Sequence, residues 1–183
     1  IPGLEDVGYQ TSDTIMDLRV RPDSLIVLGG GSVGTELGQF FVRIGTRVTL
    51  VQRGATLLSY HDREVGQALA DALREEGMEI WTGAHVTGVT AERGRKTVHV
   101  SHEGRARAVT AEMILHALGR TANVQGLNLA AAGVEVRQGV PVIGPDLRTS
   151  QRHIFAVGDA NGLTPSVHLA VQQGEIAGYN AVH

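Results

Sequence analysis

A glycine-rich turn between two short apolar segments constrains the fold of this chain more than any other feature. Residues 25–28 are an apolar run, and a G-x-G-x-x-G pattern spans Gly29 to Gly34 directly after them. Residues 47–51 form a second run, and short apolar runs of this kind are typical of strands buried on both faces. Gly45 is placed to end an intervening helix. The apolar residues of that helix recur at helical spacing: Val33, Leu37, Phe40, Phe41 and Ile44.

Each glycine of the turn has a separate physical reason. Gly29 permits the tight turn out of the strand, Gly31 lets the backbone approach a pyrophosphate, and Gly34 lets helix and strand pack closely. The N-terminus of the helix offers free N–H groups and the positive end of its dipole. A lone glycine pattern is also compatible with a merely structural turn. Between a strand and a helix, however, it predicts a dinucleotide-binding site.

The middle of the chain extends this α/β pattern. An apolar stripe predicts a helix that begins after Ser59 or Asp62 and ends at Gly77, followed by a third parallel strand over 78–82. The next three strands are too close together for helical crossovers and predict an antiparallel β-meander. These strands cover 86–91, 97–101 and 106–109. A further buried strand is expected over 112–118, so the fold class is α/β, with a parallel sheet and an antiparallel meander.

The last third of the sequence is less regular. A helical turn is expected over 127–132 and a short strand over 140–143. Residues 154–157 form an apolar run that predicts another buried strand, which ends in Gly158 and Asp159. A helix is expected from about residue 165 to residue 182.

Composition excludes several classes of protein. A net charge of −3 over 183 residues gives no basic surface, so nucleic acid is not an expected partner. No apolar run approaches the roughly 20 residues of a membrane span, and no histidine pair has metal-ligand spacing. The chain has no cysteine and therefore no thiol redox pair. We expect a cytoplasmic location, no membrane contact and no metal, and the start at Ile1 suggests a piece of a longer protein.

Three motifs and the lead-in occur in an order that resembles a known family. They are Leu-Gly-Gly-Gly-Ser-Val-Gly-Thr-Glu-Leu-Gly (28–38), Ala-Leu-Gly-Arg-Thr-Ala-Asn (117–123), Ile-Phe-Ala-Val-Gly-Asp-Ala (154–160) and Ile-Pro-Gly (1–3). Together they resemble the pyridine nucleotide–disulfide oxidoreductases, the family of dihydrolipoamide dehydrogenase, mercuric reductase and glutathione reductase. The resemblance implies a three-layer, Rossmann-like NAD(P)H-binding domain over 22–120. It also implies that 1–21 and 121–183 are a connecting segment and the returning part of an FAD-binding domain.

The resemblance also implies that parts of the enzyme are missing. Family members begin with an FAD domain that carries two redox cysteines and end with a dimerisation domain that supplies a catalytic histidine. Neither region is in this sequence, so we expect the missing domains as partners within one chain and a homodimer at full length. No catalytic residue is assigned to these 183 residues, which supply cofactor geometry.

Residue by residue, the resemblance assigns most candidate site residues to the nicotinamide dinucleotide. The phosphate loop comprises Gly29, Gly30, Gly31, Ser32, Val33 and Gly34. Glu36 corresponds to a glutamate near the nicotinamide, although a first-turn glutamate is also favoured by the helix dipole alone. Val86 corresponds to the residue whose backbone borders the adenine, and Gly119 with Arg120 closes the nicotinamide side. Ser32 stands where some relatives have a gating tyrosine, so that gate is absent.

Three further residues correspond to the family's flavin contacts. Asp159, after Gly158, matches the aspartate that hydrogen-bonds the FAD ribitol, although an aspartate here is also a common turn residue. Val167 matches a position whose backbone N–H faces the flavin ring at the start of the last helix.

The choice between NADPH and NADH depends on the end of the second strand. NAD-specific sites place a carboxylate there for the ribose 2′-OH, whereas this chain has Gln52 followed by Arg53. Loss of the carboxylate removes repulsion of a 2′-phosphate, and Arg53 is able to pair with it, which favours NADPH. NADH stays open, because NADPH-using relatives commonly have two basic residues here and often replace Gly34 by alanine.

Two other functions are compatible with these residues. One is a related flavoenzyme with another acceptor, such as an NAD(P)H oxidase or a ferredoxin reductase. The other is a stand-alone module that senses NAD(H) without chemistry, although such a module has no use for Gly158 and Asp159.

Overall fold

The computed structural model describes all residues from Ile1 to His183 and divides into two compact units. The first unit covers residues 1–119 and the second covers residues 120–183. The lead-in, which the resemblance groups with the returning segment, belongs to the first unit. Its backbone explains this, because Gln10 exchanges hydrogen bonds with Ile114 and His116 in the manner of a parallel strand.

The first unit alternates strands and helices and then forms a run of strands. Its elements are α1 (Leu4–Val7), β1 (Ser24–Leu28), α2 (Ser32–Arg43), β2 (Arg47–Val51), α3 (Arg63–Glu75), β3 (Glu79–Trp81), β4 (His85–Glu92), β5 (Arg95–His102), β6 (Arg105–Ala111) and β7 (Met113–His116). Within the lead-in, the sequence pattern does not predict α1, and a 3₁₀ turn follows it at Ile15–Asp17.

The strands form two sheets that build the predicted layers. Four parallel strands lie in the order β3-β2-β1-β7, and β4, β5 and β6 form an antiparallel meander. Alternate residues of β1 face opposite sides of the parallel sheet, as strand geometry requires. Leu25 and Val27 pack with Phe41 of α2, whereas Ile26 and Leu28 pack with Val98 of the meander. The three layers are therefore helices, parallel sheet and meander, and the predicted fold class is confirmed.

Helix α2 buries a different face from the one that its apolar residues predict. Phe41 is buried with 3% of its surface exposed, but Phe40 is 46% exposed and Ile44 is also exposed. The buried face is completed by Gly34 and Gly38. Because these glycines have no side chain, this face of the helix packs closely on Val27 of β1, and Phe40 and Ile44 lie on another face and stay exposed.

An ion pair joins α2 to the end of α3. The Arg43 guanidinium donates to both carboxylate oxygens of Glu76 at 2.7 and 2.8 Å, and Gln39 donates to the same carboxylate at 2.8 Å. Hydrogen bonding to Arg43 holds the pKa of the Glu76 carboxyl below its ordinary value of 4.5. The two helices on this face are thus tied to each other as well as to the sheet.

The second unit has little regular structure before its last helix. It contains a two-stranded hairpin of β8 (Val136–Arg137) and β9 (Val140–Pro141), and the 16-residue helix α4 (Val167–Val182). The helical turn expected over 127–132 is a 3₁₀ turn at Gln125–Leu127. No helix of the chain is both long and apolar enough to cross a membrane.

The prediction of a buried strand over 154–157 is wrong. Only one isolated bridge forms there, between Phe155 and Arg148, and the rest of the segment is irregular. A strand needs a hydrogen-bonding neighbour along its whole length. The apolar run at 154–157 finds such a neighbour at one position only.

Candidate functional site

A cleft of about 570 Å³ opens at the carboxyl ends of the parallel strands of the first unit. In open parallel sheets this edge is where ligands bind. Seven of the candidate site residues line the cleft: Gly29, Gly30, Gly31, Gln52, Arg53, Val86 and Gly119. They come from the ends of β1, β2 and β7 and from the start of β4, so the fold gathers residues that are up to 90 positions apart in sequence.

The three signature glycines occupy three different environments. A Cβ at Gly29 would lie 2.3 Å from the Ala117 oxygen, and a Cβ at Gly34 would lie 2.0 Å from the Gly29 oxygen. Gly29 also has a positive φ of 109°, which few other residues adopt. A Cβ at Gly31 would meet no atom within 4 Å. The protein's own packing thus requires two of the glycines, and the third leaves open space where α2 begins.

Gln52 holds the glycine turn in place from within the protein. Its Oε1 accepts the Gly30 N–H at 3.0 Å, and its Nε2 donates to the Thr56 carbonyl at 3.3 Å. The Gly30 carbonyl in turn accepts the Leu58 N–H at 2.8 Å. Both polar backbone groups of Gly30 are therefore bound to the loop after β2, and the Gln52 amide is already engaged on both of its ends.

Arg53 differs from its neighbour, because its guanidinium is exposed at the cleft and makes no ion pair. The cleft also contains residues that sequence reasoning missed, notably Ser59, Tyr60 and His85. Tyr60 is fully exposed. It lies in the loop after β2, and no motif in the sequence marks it as a site residue. The cleft is thus lined in part by the unpaired guanidinium of Arg53, an aromatic ring and polar side chains.

The remaining candidates of the phosphate loop lie on the first turns of α2. Ser32 and Glu36 are exposed, Val33 is half-buried, and none of the three lines the cleft. Glu36 forms no ion pair within the chain. These positions border the helix N-terminus, where backbone N–H groups lack intrahelical partners.

The candidate residues of the second unit form their own group. Asp159 lies in a 3₁₀ turn at Gly158–Asn161, and its carboxylate is 3.7 Å from Nε of Arg120. Both side chains are about half exposed. Val167 is the first residue of α4 and is exposed, and the Ser166 carbonyl accepts the Ala170 N–H. The N–H groups of the first turn of α4 are therefore free to bind an anionic or polar group.

A buried amide network, which sequence reasoning missed, supports this turn. Gln173 of α4 accepts the Gly158 N–H at 2.7 Å and the Asn161 amide at 2.9 Å. Only 6% of Gln173 and 4% of Asn161 is exposed. A pair of glutamines at 172–173 in a helix resembles a solvated surface, so no sequence pattern distinguishes the buried one.

The chain holds no group of three or more histidine, aspartate or glutamate side chains arranged to bind a metal ion. His102 instead stacks on Trp81 with ring centroids 5.8 Å apart. It is thus part of the framework of the first unit.

A parallel sheet with a G-x-G-x-x-G turn, a helix N-terminus and a cleft at its carboxyl edge is typical of the dinucleotide-binding class of α/β proteins. Comparison with known families is more specific. The model of the pyridine nucleotide-disulphide oxidoreductases matches residues 1–174, and the chain belongs to this family.

The similar proteins are enzymes, and the chain spans about a third of their length. A mercuric reductase of Bacillus cereus is 40% identical over 183 residues, which are all of this chain and 29% of that protein. A dihydrolipoyl dehydrogenase of Bacillus subtilis is 30% identical over 97% of the chain and 38% of its own length. Among solved structures, the HOCl-induced flavoprotein disulfide reductase RclA of Escherichia coli matches with a TM-score of 0.87. It is 27% identical over 96% of this chain and 40% of that one.

Proposed function

We propose that this chain is the nicotinamide-dinucleotide-binding part of an FAD-dependent oxidoreductase of the disulfide reductase type. Residues 22–120 would hold NADPH or NADH, and residues 121–183 would contribute to the FAD site of the whole enzyme. The proposal extends to a cytoplasmic homodimer, completed by an FAD domain with redox cysteines and by a dimerisation domain. Family membership supports the general class, and the cleft supports the assignment to a dinucleotide.

The observation that carries the proposal is the empty space at Gly31. A residue that lacks a side chain without any need in the protein's own packing is expected where a ligand approaches the backbone. Gly31 lies on the cleft and directly precedes the first residue of α2. A pyrophosphate there would meet free N–H groups and the positive end of the helix dipole.

The hydrogen-bonding groups of the second unit are suited to a flavin. The Asp159 carboxylate has only Arg120 as a partner and is able to accept hydroxyl groups. The free N–H groups at the start of α4, beside Val167, suit a group that carries negative charge. Gly158 has a φ of 62°, and a Cβ there would lie 3.0 Å from the Ala170 side chain, so this turn depends on glycine.

When bound, the reduced nicotinamide supplies a hydride to the flavin, and the residues of this chain bind and orient the two cofactors. The backbone from Gly29 to Gly34 would hold the pyrophosphate, and Val86 would border the adenine. Glu36 and Gly119 would lie on the nicotinamide side. These residues contribute geometry rather than acid–base groups.

Arg53 provides the test of the dinucleotide assignment and of the preference for NADPH. A hydrogen-bonded contact to a charged group contributes about 1.5–3 kcal/mol, so Arg53→Ala is expected to raise the Kd for NADPH roughly tenfold to a hundredfold. The Kd for NADH should change little, because NADH has no 2′-phosphate. Calorimetric titration of both nucleotides measures this difference.

Arg105→Ala is the matched control, since Arg105 is exposed on the meander and does not line the cleft. If Arg53→Ala weakens both nucleotides equally, Arg53 is no 2′-phosphate ligand and the preference for NADPH fails. If wild-type protein binds neither nucleotide, the dinucleotide assignment itself fails. Native full-length protein that binds nucleotide but is colourless would favour a sensing module over a flavoenzyme.

A further inference from the structure

We propose that Gln173 is a positioning residue for the flavin, because it fixes the turn that presents Asp159. The inference rests on the proposed function of the second unit. Gln173 lies on α4, nearly two turns beyond Val167, the first residue of that helix.

The contacts of Gln173 are specific and buried. Its Oε1 accepts the N–H of Gly158, the residue directly before Asp159, at 2.7 Å. The same oxygen accepts Nδ2 of Asn161, which also donates to the Ala156 carbonyl at 3.3 Å. The turn is therefore bound on both sides of Asp159 by one amide oxygen. No other side chain binds the Gly158 N–H.

The backbone of this turn needs such support. Gly158 adopts a left-handed φ of 62°, and the Gly162 N–H closes the turn on the Asp159 carbonyl. A short turn of this kind has few bonds of its own. Without the Gln173 oxygen, the buried N–H of Gly158 and the buried amide of Asn161 would both lose an acceptor. A buried polar group that loses its partner costs about 1–3 kcal/mol, so the turn would rearrange to regain one.

The chemistry of the side chain separates positioning from mere space filling. Leucine occupies a similar volume but accepts no hydrogen bond. Glutamate accepts both hydrogen bonds, and these bonds favour its charged form. A carboxylate at residue 173 should therefore keep the turn in place while adding a negative charge beside the flavin site.

The experiment uses the native full-length protein and compares Gln173→Leu with Gln173→Glu. The matched control is Gln172→Leu, at the exposed neighbouring position of the same helix. The measurements are the Kd for FAD after deflavination, the flavin midpoint potential, the hydrogen exchange of the Gly158 amide and the Kd for NADPH. NADPH serves as an internal standard, since its cleft lies in the first unit.

Gln173→Leu is expected to weaken FAD at least tenfold and to speed exchange at Gly158, with the Kd for NADPH unchanged. Gln173→Glu is expected to restore FAD binding to within a few-fold and to lower the flavin midpoint potential, because a negative charge opposes the addition of electrons. Gln172→Leu should change neither quantity.

The negative outcomes are distinct. If Gln173→Leu keeps the wild-type Kd for FAD, or if Gln173→Glu binds FAD no better than the leucine variant, the positioning role fails while the flavin site stands. If Gln173→Leu does not fold, the glutamate variant alone decides. Faster exchange of its Gly158 amide with a wild-type Kd for FAD, or a raised Kd for FAD with unchanged exchange, overturns the inference. If the wild-type protein binds no FAD, both the inference and the proposed flavin site fall.

Discussion

The glycines of the first turn show that one residue type answers two different physical demands. Gly29 and Gly34 are required by close contacts within the protein. A Cβ atom at Gly29 would lie 2.3 Å from a neighbouring carbonyl oxygen, and a Cβ atom at Gly34 would lie 2.0 Å from another. Gly31 has no such neighbour and has an ordinary extended backbone with φ of −78°. The distances agree with the turn and packing roles that the sequence pattern gives to Gly29 and Gly34. The ligand role of Gly31 stays a prediction.

This difference predicts opposite outcomes for two alanine variants. Gly34→Ala should lower the free energy of unfolding by several kcal/mol, about the cost of a severe steric change in a core. Gly31→Ala should change it by less than about 1 kcal/mol, since alanine is only a weaker N-cap than glycine. The same Gly31→Ala should weaken dinucleotide binding at least tenfold. Urea unfolding and nucleotide titration measure the two quantities, and a stable Gly31→Ala protein with unchanged affinity would contradict our assignment of the cleft.

Two glutamines illustrate what sequence reasoning could not find at this scale. Gln52 was placed correctly at the end of the second strand, but its engagement with Gly30 and Thr56 depends on the path of the following loop. Gln173 has no distinguishing pattern at all. In both cases a neutral amide oxygen accepts the N–H of a glycine in a candidate cofactor turn.

Among the elements, α2 shows why hydrophobic periodicity is an incomplete guide to burial. The pattern treats large apolar residues as buried, so it selects Phe40 and Ile44 along with Phe41. The helix instead buries Gly34 and Gly38. A Cβ atom at Gly38 would lie 3.0 Å from the Met78 side chain. Close approach by small residues is decided by the partner surface, which a single sequence does not show.

The pairing of α2 with the end of α3 predicts a dependence of stability on pH. The folded-state pKa of Glu76 is depressed by Arg43, so the pair stabilises the protein above the ordinary pKa of 4.5. This contribution is lost as the pH falls through the lower folded-state value. Arg43→Leu should therefore lower the melting temperature near neutral pH and make little difference in strong acid. Thermal unfolding at several pH values measures this.

Arg74→Leu is a suitable comparison, since Arg74 pairs with Asp71 inside α3 and not between helices. Its effect near neutral pH should be the smaller one. A melting-temperature difference for Arg43→Leu that is the same at all pH values would show that packing of the arginine stem, and not the ion pair, is responsible.

For the whole molecule, the sequence predicted the first unit far better than the second. Parallel strands, helices and the meander each have a strong local period, and close spacing alone forces the meander to be antiparallel. The second unit depends on long-range partners instead. The run at 154–157 has strand composition but meets a partner at Phe155 only, so its structure is set by what lies beside it.

The division into two units predicts that dinucleotide binding survives in isolation. Residues 1–119 contain every residue that lines the cleft, together with both apolar clusters of the three layers. This segment should unfold cooperatively and bind the preferred nucleotide with a Kd comparable to that of the intact chain. Calorimetry on the segment measures both properties. Loss of affinity with an intact fold would mean that residues after Gly119 take part in the site.

Trp81 gives the first unit a useful optical property. It is the only tryptophan in the chain, and its carbonyl oxygen accepts the Gln52 N–H at 2.8 Å, beside the wall of the cleft. Indole fluoresces in the wavelength range in which reduced nicotinamide absorbs. A reduced dinucleotide in the cleft would therefore quench this emission by resonance energy transfer, while its oxidised form would not. Excitation of one native side chain thus distinguishes the two redox states of the nucleotide without any attached dye.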